Sequence, residues 1–189
     1  MKMFEKNLLA LGFAAAIASA SAGAASVSLT DPGALAAGDT FVVDIVVDGL
    51  DTEDLAGFSI DLLFDESLLA FNSYSLGVEL TDTFYGQEDL SLGEYGVGLV
   101  NVGEISWLLD FSVQPDSFVI ASLEFEAIAP GSTSLSFDYL DASDPDALAL
   151  ALNGTDLDLD ITAVPLPGAL LLFGSAIAGF TGLFRRRPA

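Results

Sequence analysis

The side chains able to do chemistry in this chain are almost all carboxylates. It has 28 Asp and Glu against five Lys and Arg, with no His and no Cys. The missing Cys removes disulfides and thiol nucleophiles, and the missing His removes the commonest general base, metal ligand and pH-responsive group. Between residues 7 and 184 there is no Lys either, so no serine has a basic partner to activate it. Two chemistries remain open to carboxylates: holding a hard cation, and acting as the acid and base of glycoside hydrolysis. With so many acids, some pair at a suitable distance arises by chance. No catalytic residue is therefore assigned, and no enzymatic activity is expected.

Three acidic groups have spacings worth following. Asp156, Asp158 and Asp160 carry the D-x-D-x-D spacing that opens a calcium loop, but position six is Ile161 instead of Gly and position twelve is Pro167. On a strand they form one exposed row at steps of about 6.6–6.8 Å. That row reads as a solvated strand face, with a weak Ca²⁺ site as the alternative. Asp141, Asp144 and Asp146 surround Pro145 and read as an Asp-Pro turn, with convergence on a cation as the alternative. Asp51, Glu53 and Asp54 make a weaker acidic loop. Beyond weak Ca²⁺ no cofactor is assigned, and no residue is assigned as a metal ligand.

Trp107 is the sole Trp, and it alternates with Ile105 and Leu109 as an inner sheet face would. It is placed in the core rather than on a sugar platform. Tyr74, Tyr85 and Tyr95 offer stacking surfaces but also suit turns and strand ends. Asn153-Gly154-Thr155 matches a glycosylation sequon, yet Asn-Gly is first a turn signal.

The elements that must position these groups read as strands. Phe41 to Val47 is rich in β-branched residues and closes at Asp48-Gly49. Phe58, Ile60, Leu62 and Phe64 share one face by period two, with Ser59 and Asp61 outward. Leu68 to Tyr74 follows the turn Asp65-Glu66-Ser67. Gly96–Asn101 and Glu104–Phe111 flank Val102-Gly103, which reads as a hairpin turn. Val119, Ala121, Leu123, Phe125 and Ala127 alternate with Ile120, Ser122, Glu124 and Glu126. Ser132 to Tyr139 starts after Pro130-Gly131 with Leu135 and Phe137 inward. Leu157, Leu159 and Ile161 alternate with the Asp row. Leu76 to Leu92 is the least regular part and is read as long loops with about one helical turn. Eight or nine short strands separated by turn signals predict an all-β, antiparallel sandwich.

The ends of the chain differ from this body. All five cations lie there: Lys2, Lys6, Arg185, Arg186 and Arg187. Residues 1–24 read as a signal peptide, with a positive start, the apolar run Leu8–Ala18 and a small-x-small site at Ala22-Gly23-Ala24. Ala20-Ser21-Ala22 is a competing cleavage site. The apolar run is too short to cross about 30 Å of hydrocarbon. Residues 166–184 are uncharged, close to the roughly 20 residues of a transmembrane helix, and the Arg cluster that follows would hold the C-terminus in the cytoplasm. Between the signals, residues 25–163 carry every acid but Glu5 and no base. Those carboxylates must be solvated, hydrogen-bonded or bound to cations. Their field excludes nucleic acid and anionic membrane surfaces as partners.

Two resemblances add to this reading. Val164-Pro165-Leu166-Pro167-Gly168-Ala169, then Leu170 to Ser175, then Arg185-Arg186-Arg187, resembles the PEP-CTERM sorting signal, in its VPLPA-type variant; Gly168 departs from the usual Ala. The resemblance implies a Gram-negative bacterium and processing by an exosortase, a membrane-embedded cysteine transpeptidase. The body would then pass to the cell surface or an exopolysaccharide matrix.

Gly38-Asp39-Thr40-Phe41, Leu55 to Asp65, Ser67 to Phe71, and Phe118 to Phe125 with Pro130-Gly131-Ser132-Thr133 together resemble a cohesin-type domain. That likeness implies a jelly-roll sandwich of about nine strands, shared with several carbohydrate-binding modules. Glu66 stands where that pattern commonly has Pro or Ala. The expectation is an exported, surface- or matrix-associated protein with a structural or binding role and no catalysis. Its partners would be the exosortase and membrane during sorting, and then a polysaccharide or another surface protein. A carbohydrate-binding module for extracellular polysaccharide is the alternative, and a hydrolase the remote third.

Overall fold

Alternation along the body buries one side of nearly every strand, and two sheets close on each other over those sides. The computed structural model describes residues 24–51 and 53–164. Among them are twelve strands and no helix. They are β1 (Ala25–Leu29), β2 (Leu35–Ala36), β3 (Thr40–Asp48), β4 (Gly57–Leu63), β5 (Leu69–Leu76) and β6 (Gln87–Asp89). There follow β7 (Gly93–Gly96), β8 (Leu99–Ser106), β9 (Ser117–Ala127), β10 (Gly131–Ser143), β11 (Leu152–Thr155) and β12 (Leu157–Thr162). One sheet runs β11-β1-β3-β9-β5, and the other β2-β12-β10-β4-β8-β6, with β7 also on β8. The pairs β1–β11 and β2–β12 are parallel and the rest antiparallel. The expected sandwich is present. The strand count exceeds nine because β2, β6, β7 and β11 are too short to show a period in the sequence.

The core is apolar and aromatic around β9. Phe125 is fully buried, stacked on Phe41 with ring centres 6.0 Å apart. Phe64 and Phe71 meet it edge-on at 5.4 and 5.6 Å. Phe58, Ile60, Leu62 and Phe64 are buried as their spacing predicts. The single alternation read from Val119 to Ala127 is corrected. A bulge where Ile45 and Val46 pair β9 leaves Ile120 without a partner. The phase flips there, so Phe118 and Ile120 face inward before Ala121, Leu123, Phe125 and Ala127 take over.

Three other sequence expectations give way. Val102-Gly103 is not a turn: β8 runs straight through it, and the hairpin lies at Val97-Gly98. Gly98 has φ +62°, and a Cβ there would lie 2.3 Å from the Phe64 carbonyl oxygen. The Gly98 amide donates to Glu66 Oε1 at 2.6 Å, which gives that unusual turn residue a task. Leu76 to Leu92 contains β6 and tight turns instead of a helical turn. Asn153-Gly154 lies inside β11. A Cβ on Gly154 would come within 2.7 Å of Phe137 and 2.8 Å of Leu140, so this glycine serves close packing.

No helix among the described residues is long and apolar enough to cross a membrane. The expected signal peptide up to residue 23, the expected span 166–184, and Pro165, Leu166, Pro167 and Arg185 to Arg187 lie outside the described residues. Val164, the last described residue, is exposed.

Candidate binding face

β8 decides what the outer edge of the second sheet presents. Val100 and Val102 point into the core, and even-numbered parity then carries Glu104 and Ser106 inward as well. The expected inner trio is corrected on this point: Ile105 is 41 %, Trp107 49 % and Leu109 82 % exposed. The apolar end of that set, Ile105 and beyond it Trp107 and Leu109, therefore faces solvent, while Asn101 and Gly103 of the same set are covered. Sequence alternation was visible there; the turn that fixes its phase was not.

Next to that edge stands a loop that sequence reading only partly singled out. Asp82 and Gly86 exchange both backbone hydrogen bonds at 2.9 Å. Asp82 Oδ1 accepts from the amides of Phe84 and Tyr85 at 2.7 and 2.6 Å. This closed turn displays Phe84 at 82 % and Tyr85 at 60 % exposure. Their rings meet edge to face, 4.8 Å apart and 80° inclined. Thr81 and Gln87 side chains pair across the loop's base, and Ser106 Oγ donates to the Leu80 carbonyl at 2.7 Å. Gln87 pairs Ser106 in register, which directs the loop toward the Trp107 end of β8. The signal for it was present as Asp82-x-Phe-Tyr-Gly, an Asx turn closed by glycine.

Farther along the outer face lies a polar network. Asp61 accepts from the Tyr95 hydroxyl at 2.8 Å and from Asn101 Nδ2 at 2.7 Å. Asn101 Nδ2 also donates to Ser59 Oγ at 3.2 Å. The bond to Asp61 raises the Tyr95 hydroxyl pKa above that of a free tyrosine. Tyr139 pairs Asp61 in register and is half exposed. Tyr74 sits apart, half-buried on β5, with its hydroxyl on Asp89 Oδ2 at 3.0 Å.

The acidic groups do not gather. Among the described residues no three acidic side chains come together as a cation site. Asp144 Oδ1 instead accepts from the amides of Asp146 and Leu148, as an Asp-Pro turn requires. Asp156 accepts from the Phe137 amide and Asp160 from Ser132 Oγ. Asp158 and Asp160 line an open groove of about 740 Å³ with Ser132, Ser134, Ser136 and Asp65. Asp65 is held below the usual carboxylate range by the Ser67 hydroxyl and amide.

No family model and no curated protein matches the chain. Solved structures do match in fold. A type I cohesin of Clostridium thermocellum, solved as a cohesin–dockerin complex, has TM-score 0.61 at 13 % identity, covering 75 % of this chain and 95 % of that one. A type II cohesin domain from the cellulosome of Acetivibrio cellulolyticus gives 0.62 at 12 %, covering 72 % and 95 %. A non-cellulosomal cohesin of the archaeon Archaeoglobus fulgidus gives 0.56 at 12 %, covering 78 % and 96 %. The body has the cohesin fold.

Proposed function

We propose that this chain is an exported, non-catalytic docking module, displayed at the cell surface or in an extracellular matrix, that binds a protein partner. The observation that carries this reading is the Phe84–Tyr85 pair on its closed turn beside exposed Ile105, Trp107 and Leu109. Large apolar side chains held in place by hydrogen-bonded backbone lose little freedom on association and are the usual anchors of protein interfaces. Solved relatives in fold include cohesins captured with dockerins, which supports a protein ligand. Two aromatic rings inclined by 80° do not form a flat platform for a sugar ring. The second reading, binding of extracellular polysaccharide, draws on Tyr95 and Tyr139 flanking Asp61 on the outer face.

The route outside the cell rests on the sequence: a signal peptide at the start, and Val164-Pro165-Leu166-Pro167, an uncharged span and Arg185-Arg186-Arg187 at the end. In this proposal an exosortase removes the tail near the Pro motif. Intact-mass analysis of the protein recovered from its host should show loss of the Arg cluster; a mature form retaining Arg187 in a host with an exosortase would refute the route. For the docking reading, crosslinking on intact cells followed by mass spectrometry should place partner peptides on Phe84, Tyr85 and Trp107. Crosslinks confined to other faces, or glycan-array binding lost in a Tyr139→Ala variant, would favour the second reading.

A further inference from the structure

Every carboxylate of the body was expected to be solvated, hydrogen-bonded or cation-bound, and Glu104 is neither exposed nor hydrogen-bonded. Its side chain is 0 % exposed, and both Oε atoms lack a hydrogen-bond partner. Register fixes its neighbours. On one side it pairs Phe58 of β4, an apolar residue of the core. On the other it pairs Asp89 of β6, so both carboxyl groups project from the same side of the sheet. Asp89 lies at the exposed rim, where Ser91 N and the Tyr74 hydroxyl donate to it. Burial works to raise Asp89, but these donors, with the Ser91 hydroxyl, leave it lowered. Asp89 therefore stays charged. Tyr74, from β5, is raised by burial and by Asp89. From β10, Asp141 lines a small cleft together with Phe58, Glu104 and Ile105, and no Lys or Arg occurs among the described residues. An isolated ionised carboxylate in such a setting is far costlier than a neutral acid.

β6 is the weak element here. It is three residues long, ends the sheet and makes ladder pairs only with β8, while the Tyr74–Asp89 bond ties it to β5. We propose that Glu104 is carried as a neutral carboxylic acid, and that its ionisation frees the β6 edge, making Leu76–Gly93 a strap held shut by one proton. Burial first, and the Asp89 charge second, push the Glu104 pKa up to about 7, from an ordinary 4.5. The sign follows from linkage. Between pH 4.5 and 7 the folded chain binds the proton and the unfolded chain does not, so this contribution is full below 4.5 and is lost as pH rises through 7. The proposal is independent of what the edge binds.

The test is urea unfolding and amide exchange of the full-length chain across pH 4.5–8, for wild type and Glu104→Gln. The two unfolding equilibria should diverge with pH by on the order of a hundredfold. Exchange protection of Gln87–Asp89, corrected for intrinsic rates, should fall above pH 7 in wild type and persist in Glu104→Gln. Parallel pH curves would overturn the proposal. So would Ca²⁺, at matched ionic strength, restoring β6 protection at pH 8 in wild type but not in Glu104→Gln, since Glu104 would then be a cation ligand. Should Glu104→Gln fail to fold, wild type alone decides. At pH 6 its infrared spectrum should contain a protonated-carboxyl band that disappears by pH 8, and absence of that band at pH 6 refutes the neutral acid.

Discussion

The two ends of the sandwich use the same strand alternation to opposite purposes. Around Phe125, β3, β5 and β9 bury Phe41, Val43, Ile45, Leu69 and Leu123 with no buried polar side chain among them. Around β8 the alternation places Glu104 and Ser106 inside and leaves Ile105 and Trp107 outside. A sequence optimised only for stability would have exchanged those two sets. The contrast separates a region that holds the fold together from one that gives up stability to present apolar surface and a buried acid.

The contrast can be broken first at its stable end. Phe125→Ala removes a fully buried ring touching three others and should lower unfolding free energy by about 3–5 kcal/mol, read by urea melts. Gly98→Ala should cost roughly 1–3 kcal/mol or more, because it strains a left-handed residue and drives a methyl into the Phe64 carbonyl. At the other end the sign should reverse. Glu104→Leu should raise the melting temperature at pH 8, since it replaces an unpartnered buried carboxylate with an apolar side chain. A lowered melting temperature would mean that the acid has a stabilising role and that the two ends are alike. The smallest effect on stability belongs to the exposed edge. Phe84→Ala should change stability by less than about 0.5 kcal/mol while abolishing partner crosslinking. Loss of both together would place Phe84 with the core.

Much of the scaffold was legible before any coordinates. The face shared by Phe58, Ile60, Leu62 and Phe64 and the alternation of Leu159 and Ile161 with Asp158 and Asp160 follow from period two alone, because each strand is long and keeps one phase. β8 and β9 show where that reasoning runs out. One unseen bulge at Ile120 or one misplaced turn, Gly103 for Gly98, inverts every side chain beyond it. Trp107 reads as core because Ile105, Trp107 and Leu109 alternate as an inner face would, whereas the set that β8 buries is Val100, Val102 and Glu104. The aromatic turn was half legible: Tyr85 stood out as a stacking residue, but Phe84 resembled any other apolar residue until the Asp82–Gly86 closure aimed it outward.

The open margins of the five-stranded sheet carry a consequence for crowding. β5 and β11 end that sheet, and such strands invite pairing with another copy. Proteins commonly guard such margins with lysine, which this body lacks. Here the guard is mutual repulsion between whole molecules of one sign, effective over about 8 Å at physiological ionic strength. On a densely coated surface, neighbouring copies would behave as a swollen polyelectrolyte layer. Its spacing would be set by counter-ions instead of contacts: open in dilute salt, and collapsing when divalent cations or acid neutralise it.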